Sequence, residues 1–362
     1  IMKPRPCGCK GCRTCLVCET YYGADALKNT TPLDKEKSYV YCPLCDKAWS
    51  GWDIDLYKQH PNHEGKSIDY PGVYIKLDFI SKAEEDQLIK NIDEVPWDIS
   101  QSGRRKQNFG PKTNFKKQKI VAGNFDGFPK FSKYLQDRFH SIELLKGYEV
   151  IEQCSLEYDP SKGASIDPHI DDCWIWGERI VTVNILTDSV LTMTPFKGDK
   201  KKYNLFCAEN YPAVVQTDGS INLEFNDKGP SMLEISKPLG DNDVIIRIPM
   251  IRRSLLIIYG ESRYHWEHAV LREDIKTRRV CLAYREFTPP YMNNGTHDVI
   301  GQEIRNKAKN FWDHQERYKN SFCTTIMMRY VNAISNIIVC VASTLIVLFA
   351  RQNHLLLNFP RL

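Results

Sequence analysis

Alternation of apolar and polar residues predicts where the ordered part of the chain begins. Residues 73 to 79, VYIKLDF, alternate as the residues of a half-buried strand do. Ser81 is followed three residues later by Glu84, a spacing that predicts a capping box and a helix running to about Asp93. We therefore expect the main domain to open with a strand that leads into a helix.

Apolar runs between residues 147 and 287 predict further strands. The runs are rich in Val, Ile and Tyr and are separated by Gly, Pro and Asp. Their sequences are GYEVIEQCSLEY, RIVTVNIL, DVIIRIP, SLLIIYG and RRVCLAYREF. Helical patterns do not alternate with these runs, so the chain is predicted to be α+β and mainly β, with an antiparallel β-domain rather than a parallel α/β fold.

Differences in composition along the chain predict its domain organisation. The first segment is rich in Cys, and the second has no sustained period, which is typical of a connector. The predicted division is a Cys-rich element at 1–50, a connector at 51–72, a strand–helix and basic region at 73–146, the β-domain at 147–290, a C-terminal helical region at 291–329, and an apolar segment at 330–350.

The apolar segment near the C-terminus has the length of a membrane span. Between Arg329 and Arg351 lie 21 residues without a charge, and about 20 apolar residues are needed to cross a bilayer. Residues 330–350 are therefore a candidate C-terminal membrane anchor, and a buried core helix is the alternative. With an anchor, Lys319 and Arg329 would keep the preceding domain on the cytosolic side.

Composition narrows the class of protein. The 362 residues are 42% hydrophobic and 26% charged, the balance of an ordinary globular protein. Lys and Arg number 49 against 45 for Asp and Glu, for a net charge of +4, which excludes an acidic disordered chain and a histone-like polycation. The opening IMKPRPCGCKGC contains no apolar signal sequence, so we expect a reducing compartment, cytoplasm and nucleus.

Cysteines near the N-terminus predict a metal site. Seven of the 13 cysteines fall in the first 45 residues, and in a reducing compartment such a cluster favours thiolate–metal coordination over disulfides. Two Cx2C pairs, Cys15 with Cys18 and Cys42 with Cys45, fit a four-thiolate structural zinc site. The ligand set stays open, because several other residues are alternatives: Cys7, Cys9, Cys12, His60 and His63.

A basic segment follows the predicted helix. Seven Lys and Arg residues and no acidic residue lie between Arg104 and Lys119, with two Phe residues among them. Basic and aromatic side chains together suit a lid over nucleic acid, and an acidic protein surface would fit equally well. A solvated basic loop is the alternative. The candidate lid residues are Arg104, Arg105, Lys106 and Phe109.

The sequence HID at 169–171 is a candidate metal-binding motif. In extended backbone, side chains two residues apart project to the same face, so His169 and Asp171 point together. His268, 97 residues beyond Asp171, supplies a second candidate imidazole. Two His and one carboxylate leave coordination positions open for iron(II) chemistry. The same ligands also suit zinc, so the motif alone does not choose the metal.

The last predicted strand carries an arginine at each end of one face. Arg279 and Arg285 are six residues apart, with Cys281 and Ala283 between them at period two. Small residues leave room over this face, and guanidinium groups bind carboxylates in a two-pronged manner. We therefore predict that a dicarboxylic acid binds here. The alternative for either arginine is an ion pair with a nearby glutamate such as Glu286.

Together these segments resemble the AlkB family of iron(II)- and 2-oxoglutarate-dependent dioxygenases. The resemblance covers about residues 1 to 305 and is greatest to the homologue 4 branch. The segments that carry it are HID at 169–171, RRSLLIIYGESRYHWEHAV at 252–270, RVCLAYR at 279–285, SQSGRRKQNFGPK at 100–112 and IDPHIDDCWIWGERIV at 166–181. It implies a double-stranded β-helix, a jelly-roll barrel with flanking helices and the Cys-rich zinc-binding element.

The resemblance also implies roles for individual residues. His169, Asp171 and His268 would bind iron, Arg279 would bind the distal carboxylate of 2-oxoglutarate, and Arg285 would sit by its chelating carboxylate. The family often supplies an Asn-x-Tyr pair for the cosubstrate. Here Tyr158 stands for the Tyr, while Leu156 occupies the Asn position.

The implied reaction is oxidative N-demethylation with Fe(II), 2-oxoglutarate and O2, releasing formaldehyde, succinate and carbon dioxide. The implied substrate is a methylated lysine in a protein such as actin, or methyladenine in DNA. Cys173 stands where repair members of the family carry an acidic residue, which argues against base repair. The alternative hypotheses are a zinc-stabilised nucleic-acid or protein-binding adaptor with an inactive barrel, and a zinc hydrolase. The sequence does not predict the oligomeric state.

Overall fold

The computed structural model describes residues 5–10, 13–24, 32–224, 231–235 and 243–313. The chain divides into two units, Ile1–Phe311 and Trp312–Leu362. The fold below is that of the first unit. The apolar segment predicted at 330–350 lies outside the described residues. Within the ranges given above, no helix is long and apolar enough to cross a bilayer.

The described elements are mainly strands. The strands are β1 Ser38–Cys42, β2 Lys47–Ser50, β3 Ser67–Asp69, β4 Val73–Lys76, β5 Asp98–Ile99, β6 Arg105–Phe109, β7 Lys112–Asn114, β8 Lys119–Val121, β9 Phe128–Pro129, β10 Glu152–Tyr158, β11 Ile166–His169, β12 Ile180–Ile185, β13 Ser189–Pro195, β14 Ile245–Met250, β15 Leu255–Ile258, β16 Trp266–Val270, β17 Arg279–Arg285 and β18 Phe311–Trp312. The α-helices are α1 Leu16–Tyr22, α2 Lys82–Glu94, α3 Lys133–Phe139, α4 Met232–Ile235, α5 Gly260–Tyr264 and α6 Asp298–Ala308.

Two seven-stranded sheets hold most of these strands. One has the order β11-β16-β13-β14-β1-β2-β3 and the other β4-β15-β12-β17-β10-β6-β5. Apolar side chains from both sheets, such as Ile246 and Met193 from the first and Val181 and Leu282 from the second, belong to one buried cluster. The pairing is antiparallel except between β1 and β14, which run parallel. The architecture is mainly β with some helices and is consistent with a jelly-roll fold.

The strand and helix predicted from residue 73 onward are confirmed. Strand β4 leads into α2, where Ser81 accepts a hydrogen bond from the Glu84 backbone and Glu84 accepts one from the Ser81 backbone, completing the capping box. The five predicted apolar runs contain β10, β12, β14, β15 and β17. The apolar pattern did not predict β13 or β16, whose polar residues break the alternation.

The segment predicted to be a connector contains regular structure. A 3-10 helix spans Ile54–Gln59, and its N-cap Asp53 accepts a hydrogen bond from the Asp55 backbone. Strand β3 then pairs with β2. Local capping and strand pairing therefore order a segment that has no hydrophobic period.

Part of the predicted Cys-rich element belongs to the first sheet. Strand β1 lies beside β14 with Val40 opposite Arg247. Arg247 is buried, is bonded to Asp274 at 2.7 Å, and its guanidinium lies 4.0 Å from the ring centre of Trp52. The domain division stays a prediction, but strand pairing joins residues 38–50 to the main β-structure.

Candidate metal centre

Strand register brings the three predicted metal ligands together. Strands β11 and β16 are antiparallel neighbours, and His169 lies directly opposite His268. Asp171 follows two residues after His169. The three candidate ligand atoms lie within 4.8 Å of one another, and His169 Nε2 is 3.7 Å from Asp171 Oδ1. The structure thus assembles the two-His, one-carboxylate set.

A backbone contact orients His169. Its Nδ1 lies 2.8 Å from the carbonyl oxygen of Asp167. Because a carbonyl can only accept, the proton of the neutral ring resides on Nδ1, and Nε2 keeps its lone pair on the side of Asp171. Metal-binding histidines are commonly held in this way by a backbone carbonyl. The His169 side chain retains 24% exposure, so the group of three opens to solvent.

Electrostatics keep all three groups in the protonation states that bind a metal. Burial alone would raise the pKa of Asp171, but the charge of Arg285 and the neighbouring imidazoles hold that pKa well below its usual range. Burial lowers the pKa of both His169 and His268, with Asp171 opposing the shift in part. At neutral pH the site therefore contains one carboxylate and two neutral imidazoles.

Arg279 lies at the start of β17 with spare hydrogen-bonding capacity. It is buried, and its Nε donates to Asn184 Oδ1 at 2.8 Å. Its guanidinium lies 4.7 Å from the ring centre of Tyr158, which faces it from β10. Among the described residues, Arg279 Nη1 is buried without a hydrogen-bond partner. A buried cation with an unused N–H is suited to an anionic ligand.

Arg285 lies at the other end of β17 and contacts a candidate metal ligand. Its Nε and Nη2 donate to the two Asp171 oxygens at 3.0 and 3.1 Å, and its Nη1 donates to Glu152 at 2.6 Å. The resemblance implied that it sits by the chelating carboxylate of the cosubstrate, and that role stays a prediction. In the structure this guanidinium holds Asp171.

The residues present fit iron(II) and 2-oxoglutarate. Two imidazoles and one carboxylate with open positions form the ligand set of non-haem iron(II) oxygenases. On the same strand face, Cys281 and Ala283 lie between the two arginines, opposite Leu156 and Cys154. Arg279 would hold a carboxylate at the far end of this face. The donor set also suits zinc, whereas hydrolysis gives no role to the unpaired Arg279 N–H.

A segment beside the metal centre links it to the basic region. Asn204 donates to Asp172 at 2.8 Å and accepts from Gln118 at 2.5 Å. Gln118 lies between β7 and β8, a hairpin whose exposed lysines are Lys112, Lys116, Lys117 and Lys119. Phe115 at its tip is 50% exposed. The basic hairpin is therefore connected to the residue next to Asp171.

The residues predicted as a lid lie mostly in the second sheet. Arg105, Lys106 and Phe109 belong to β6, which pairs with β10. Arg105 forms an ion pair with Glu157 and lies 5.4 Å from the Trp97 ring centre. Arg104 precedes the strand, and its guanidinium lies 5.9 Å from the ring centre of Tyr158. Arg104 thus lies over the same tyrosine ring as Arg279, whereas Arg105 braces the sheet.

The predicted zinc ligands lie in two separate groups. Cys15 and Cys18 are grouped with Cys7 and Cys9, whereas Cys42 and Cys45 are grouped with two histidines, His60 and His63. The four cysteines of the two Cx2C pairs therefore do not form one group. Cys42 ends β1, which pairs with β14 through Ser38–Val40. Arg272 holds α1, which contains Cys18, through Glu19 at 2.7 Å. The alternate ligand Cys12 lies outside the described residues.

Sequence reasoning missed two residues that position the site. The Asn184 side-chain oxygen accepts a hydrogen bond from Arg279 Nε. Its amide nitrogen donates to the backbone carbonyls of Thr187 and Met250, each at 2.8 Å. Glu152 anchors Arg285. Asn184 is a polar residue within the largely apolar strand β12, which is the signal that would have found it, because buried polar groups require partners. Glu152 begins β10, which contains several polar residues, so its sequence gives no such signal.

Comparisons with known proteins place the chain among dioxygenases. It is 36% identical over 307 residues to the human alpha-ketoglutarate-dependent dioxygenase alkB homolog 4, covering 85% of this chain and 94% of that protein. The mouse protein of the same name is 37% identical, covering 84% and 94%. A Caenorhabditis elegans protein named DNA N6-methyl adenine demethylase is 29% identical, covering 82% and 92%. No family model matches the chain.

Proposed function

Because the chain belongs to the AlkB family of alpha-ketoglutarate-dependent dioxygenases, we propose that it demethylates N-methyl groups oxidatively at the site formed by His169, Asp171 and His268. The observation that carries this proposal is the convergence of the three side chains within 4.8 Å. On β17, whose other end contacts Asp171 through Arg285, the buried Arg279 also has an Nη1 without a partner among the described residues. Both parts are needed for a reaction that consumes a dicarboxylic cosubstrate.

The residues divide the work of the reaction. When bound, iron(II) with 2-oxoglutarate and O2 supplies the oxidising chemistry that converts an N-methyl group to formaldehyde, with succinate and carbon dioxide as the other products. His169, Asp171 and His268 would hold the metal. Arg279, whose guanidinium lies 4.7 Å from the Tyr158 ring centre, would bind the distal carboxylate, and Arg285 keeps Asp171 ionised and oriented. The buried strand residues exclude water from the reacting groups.

The basic hairpin supports DNA containing methyladenine as the substrate. Four exposed lysines and the exposed Phe115 lie on or between β7 and β8, and Gln118 connects that hairpin to the metal centre through Asn204. Cations attract the phosphate backbone and an exposed ring can stack on a base. The relative named for N6-methyladenine in DNA adds to this support.

A methylated lysine in a protein such as actin is the second candidate substrate. The observation that favours it is Asp172, a carboxylate next to the candidate ligand Asp171, which accepts from Asn204 at 2.8 Å. A methylammonium group entering the site would meet this acidic side chain. The basic hairpin would then contact an acidic protein surface.

We also propose that the first Cys group binds structural zinc. Cys7, Cys9, Cys15 and Cys18 present four sulfurs, with Cys7 Sγ 2.9 Å and Cys15 Sγ 3.7 Å from Cys18 Sγ. Four thiolates are a usual ligand set for a closed zinc site. Helix α1 carries Cys18, so zinc here would fix the N-terminal segment.

The test compares both substrates with one enzyme preparation. Iron-loaded protein is incubated with 2-oxoglutarate and either methyladenine DNA or methyl-lysine peptide, and formaldehyde and succinate are measured together. Equal amounts of both products from one substrate are expected. Lys117→Glu should reduce turnover of DNA, while Lys90→Glu, an exposed charge reversal on α2, should not. Absence of formaldehyde with every methylated substrate would refute demethylation.

A further inference from the structure

A second group of potential metal ligands lies far along the chain from the first. Cys42 ends β1, Cys45 lies in the turn before β2, and His60 and His63 follow the 3-10 helix Ile54–Gln59. One ligand atom from each of the four lies within 4.8 Å of the others. Chain segments on either side of β2 therefore bring two sulfurs and two imidazoles to one point.

Three ring nitrogens in this group are buried and have no partner in the part of the chain that the structure describes. They are His60 Nδ1 and both nitrogens of His63. Buried polar atoms in native proteins are almost always satisfied, because an unpaired buried donor or acceptor destabilises the folded state. A cation coordinated by one nitrogen of each ring would satisfy part of this set, so the unpaired atoms point to a missing ligand.

A tryptophan next to this group contacts two of its four residues. The Trp49 ring stacks on His63 at 4.6 Å between ring centres, and its Nε1 donates to Cys45 Sγ at 3.4 Å. A hydrogen bond to sulfur favours the thiolate, and stacking fixes the imidazole plane. Groups that orient metal ligands in this way are a usual feature of metal sites.

We infer that Cys42, Cys45, His60 and His63 form a zinc site distinct from both the four-Cys group and the metal centre. Two thiolates and two imidazoles are a closed tetrahedral set that selects zinc. The spacing from the cysteines to the first histidine agrees, since Cx2C is followed by the 14 residues 46–59 and then His60. His63 follows after two further residues, and the structure brings it to the same group.

The site would fasten the region after β2 to the first sheet. Cys42 and Cys45 belong to the β1–β2 hairpin, which pairs with β14 through β1. His60 and His63 lie in the segment that leads to β3. Zinc would therefore fix the segment between β2 and β3. Without zinc, that segment is held by the 3-10 helix and by the short pairing of β2 with β3. The inference does not depend on the proposed reaction.

The test measures zinc in the full chain purified without chelator. Cys42→Ser and His63→Gln should each lose one zinc per chain relative to the unaltered protein. Cys207→Ser, a half-buried free cysteine, and His140→Gln, an exposed histidine, are the matched controls and should keep it. Succinate formation is measured separately, so failure of the site and failure of the proposed reaction are distinguishable.

Cobalt(II) substitution separates this site from the others. In a Cys15→Ser/Cys18→Ser variant, cobalt should still give thiolate-to-cobalt absorption, now from two sulfurs, whereas the site of His169, Asp171 and His268 has no sulfur and gives none. His60→Gln in that background should abolish or shift the band. Absence of any thiolate band in the double variant, or unchanged zinc in both Cys42→Ser and His63→Gln, would overturn the inference. If Cys42→Ser does not fold, the cobalt result decides.

Discussion

Replacing Arg279 by Lys should weaken binding of 2-oxoglutarate while leaving the metal ligands in place. Arg279 is buried, its Nε is held by Asn184, and its Nη1 has no partner among the described residues. Lysine keeps the charge but has one nitrogen, so it cannot bond to both Asn184 and a carboxylate with the geometry of a guanidinium fork. The variant therefore tests shape rather than charge.

The size of the effect follows from the contact that is lost. A hydrogen bond to a charged group contributes about 1.5–3 kcal/mol, and each 1.4 kcal/mol changes affinity tenfold. We expect the Kd for 2-oxoglutarate to rise roughly 10- to 100-fold. Calorimetric titration of the iron-loaded protein without oxygen measures this directly, and the KM for 2-oxoglutarate should rise in parallel.

The neighbouring Arg278 provides the matched control. It bonds to Asp93 at 2.6 Å and Glu157 at 2.8 Å, with a side chain that is 38% exposed. Such partly exposed ion pairs contribute little, so Arg278→Lys should leave the Kd unchanged. The reasoning is refuted if Arg279→Lys binds 2-oxoglutarate as the unaltered protein does, or if both variants lose affinity equally.

Three further predictions concern the metal ligand, a buried acid and the N-terminal strands. Asp171→Ala should abolish succinate formation yet keep the β-rich circular dichroism spectrum, because the Arg285 guanidinium still bonds to Glu152. Normal succinate release would exclude Asp171 from the metal site. Burial raises the pKa of Glu178 from 4.5 to about 7. Between pH 4.5 and about pH 7 the native state therefore binds more protons than the unfolded chain. The free energy of unfolding falls as the pH rises through this range. Glu178→Gln should remove that slope, worth roughly 3 kcal/mol, in denaturant titrations at pH 5 and pH 8, and an unchanged slope would contradict the assignment. A chain beginning at Tyr70 should be less soluble than one beginning at residue 32. The shorter chain lacks β1, which pairs with β14, and Trp52, which contacts the buried Arg247. Equal soluble yields would show that β14 tolerates the loss of its neighbouring strand.

Short-range spacing is sufficient to predict two of the three candidate metal ligands. His169 and Asp171 are close in sequence, and extended backbone alone places them on one face. His268 was proposed from its neighbouring residues, but its position opposite His169 depends on the register of β11 against β16. Register is fixed by the packing of the whole sheet, so spacing along the chain could not supply it.

The cysteines show where spacing misleads. The spacing of Cys15, Cys18, Cys42 and Cys45 is that of one zinc site. The structure instead groups the first pair with Cys7 and Cys9 and the second pair with His60 and His63. The choice among them is made by contacts distant in sequence, chiefly β1 against β14 and Glu19 against Arg272. Local patterns fix which residues can bind a metal, whereas tertiary contacts fix which of them meet.

The position of Arg285 changes how the two arginines of β17 are understood. A carboxylate has about four lone-pair positions, and Arg285 occupies one on each oxygen of Asp171. The remaining positions stay available on the side of His169, where Nε2 lies 3.7 Å away. Arg285 therefore acts on the candidate ligand Asp171, and Arg279, whose Nη1 has no partner among the described residues, is the arginine that we propose binds an anion. Under that proposal, similar side chains at the two ends of one strand serve the metal and the cosubstrate separately.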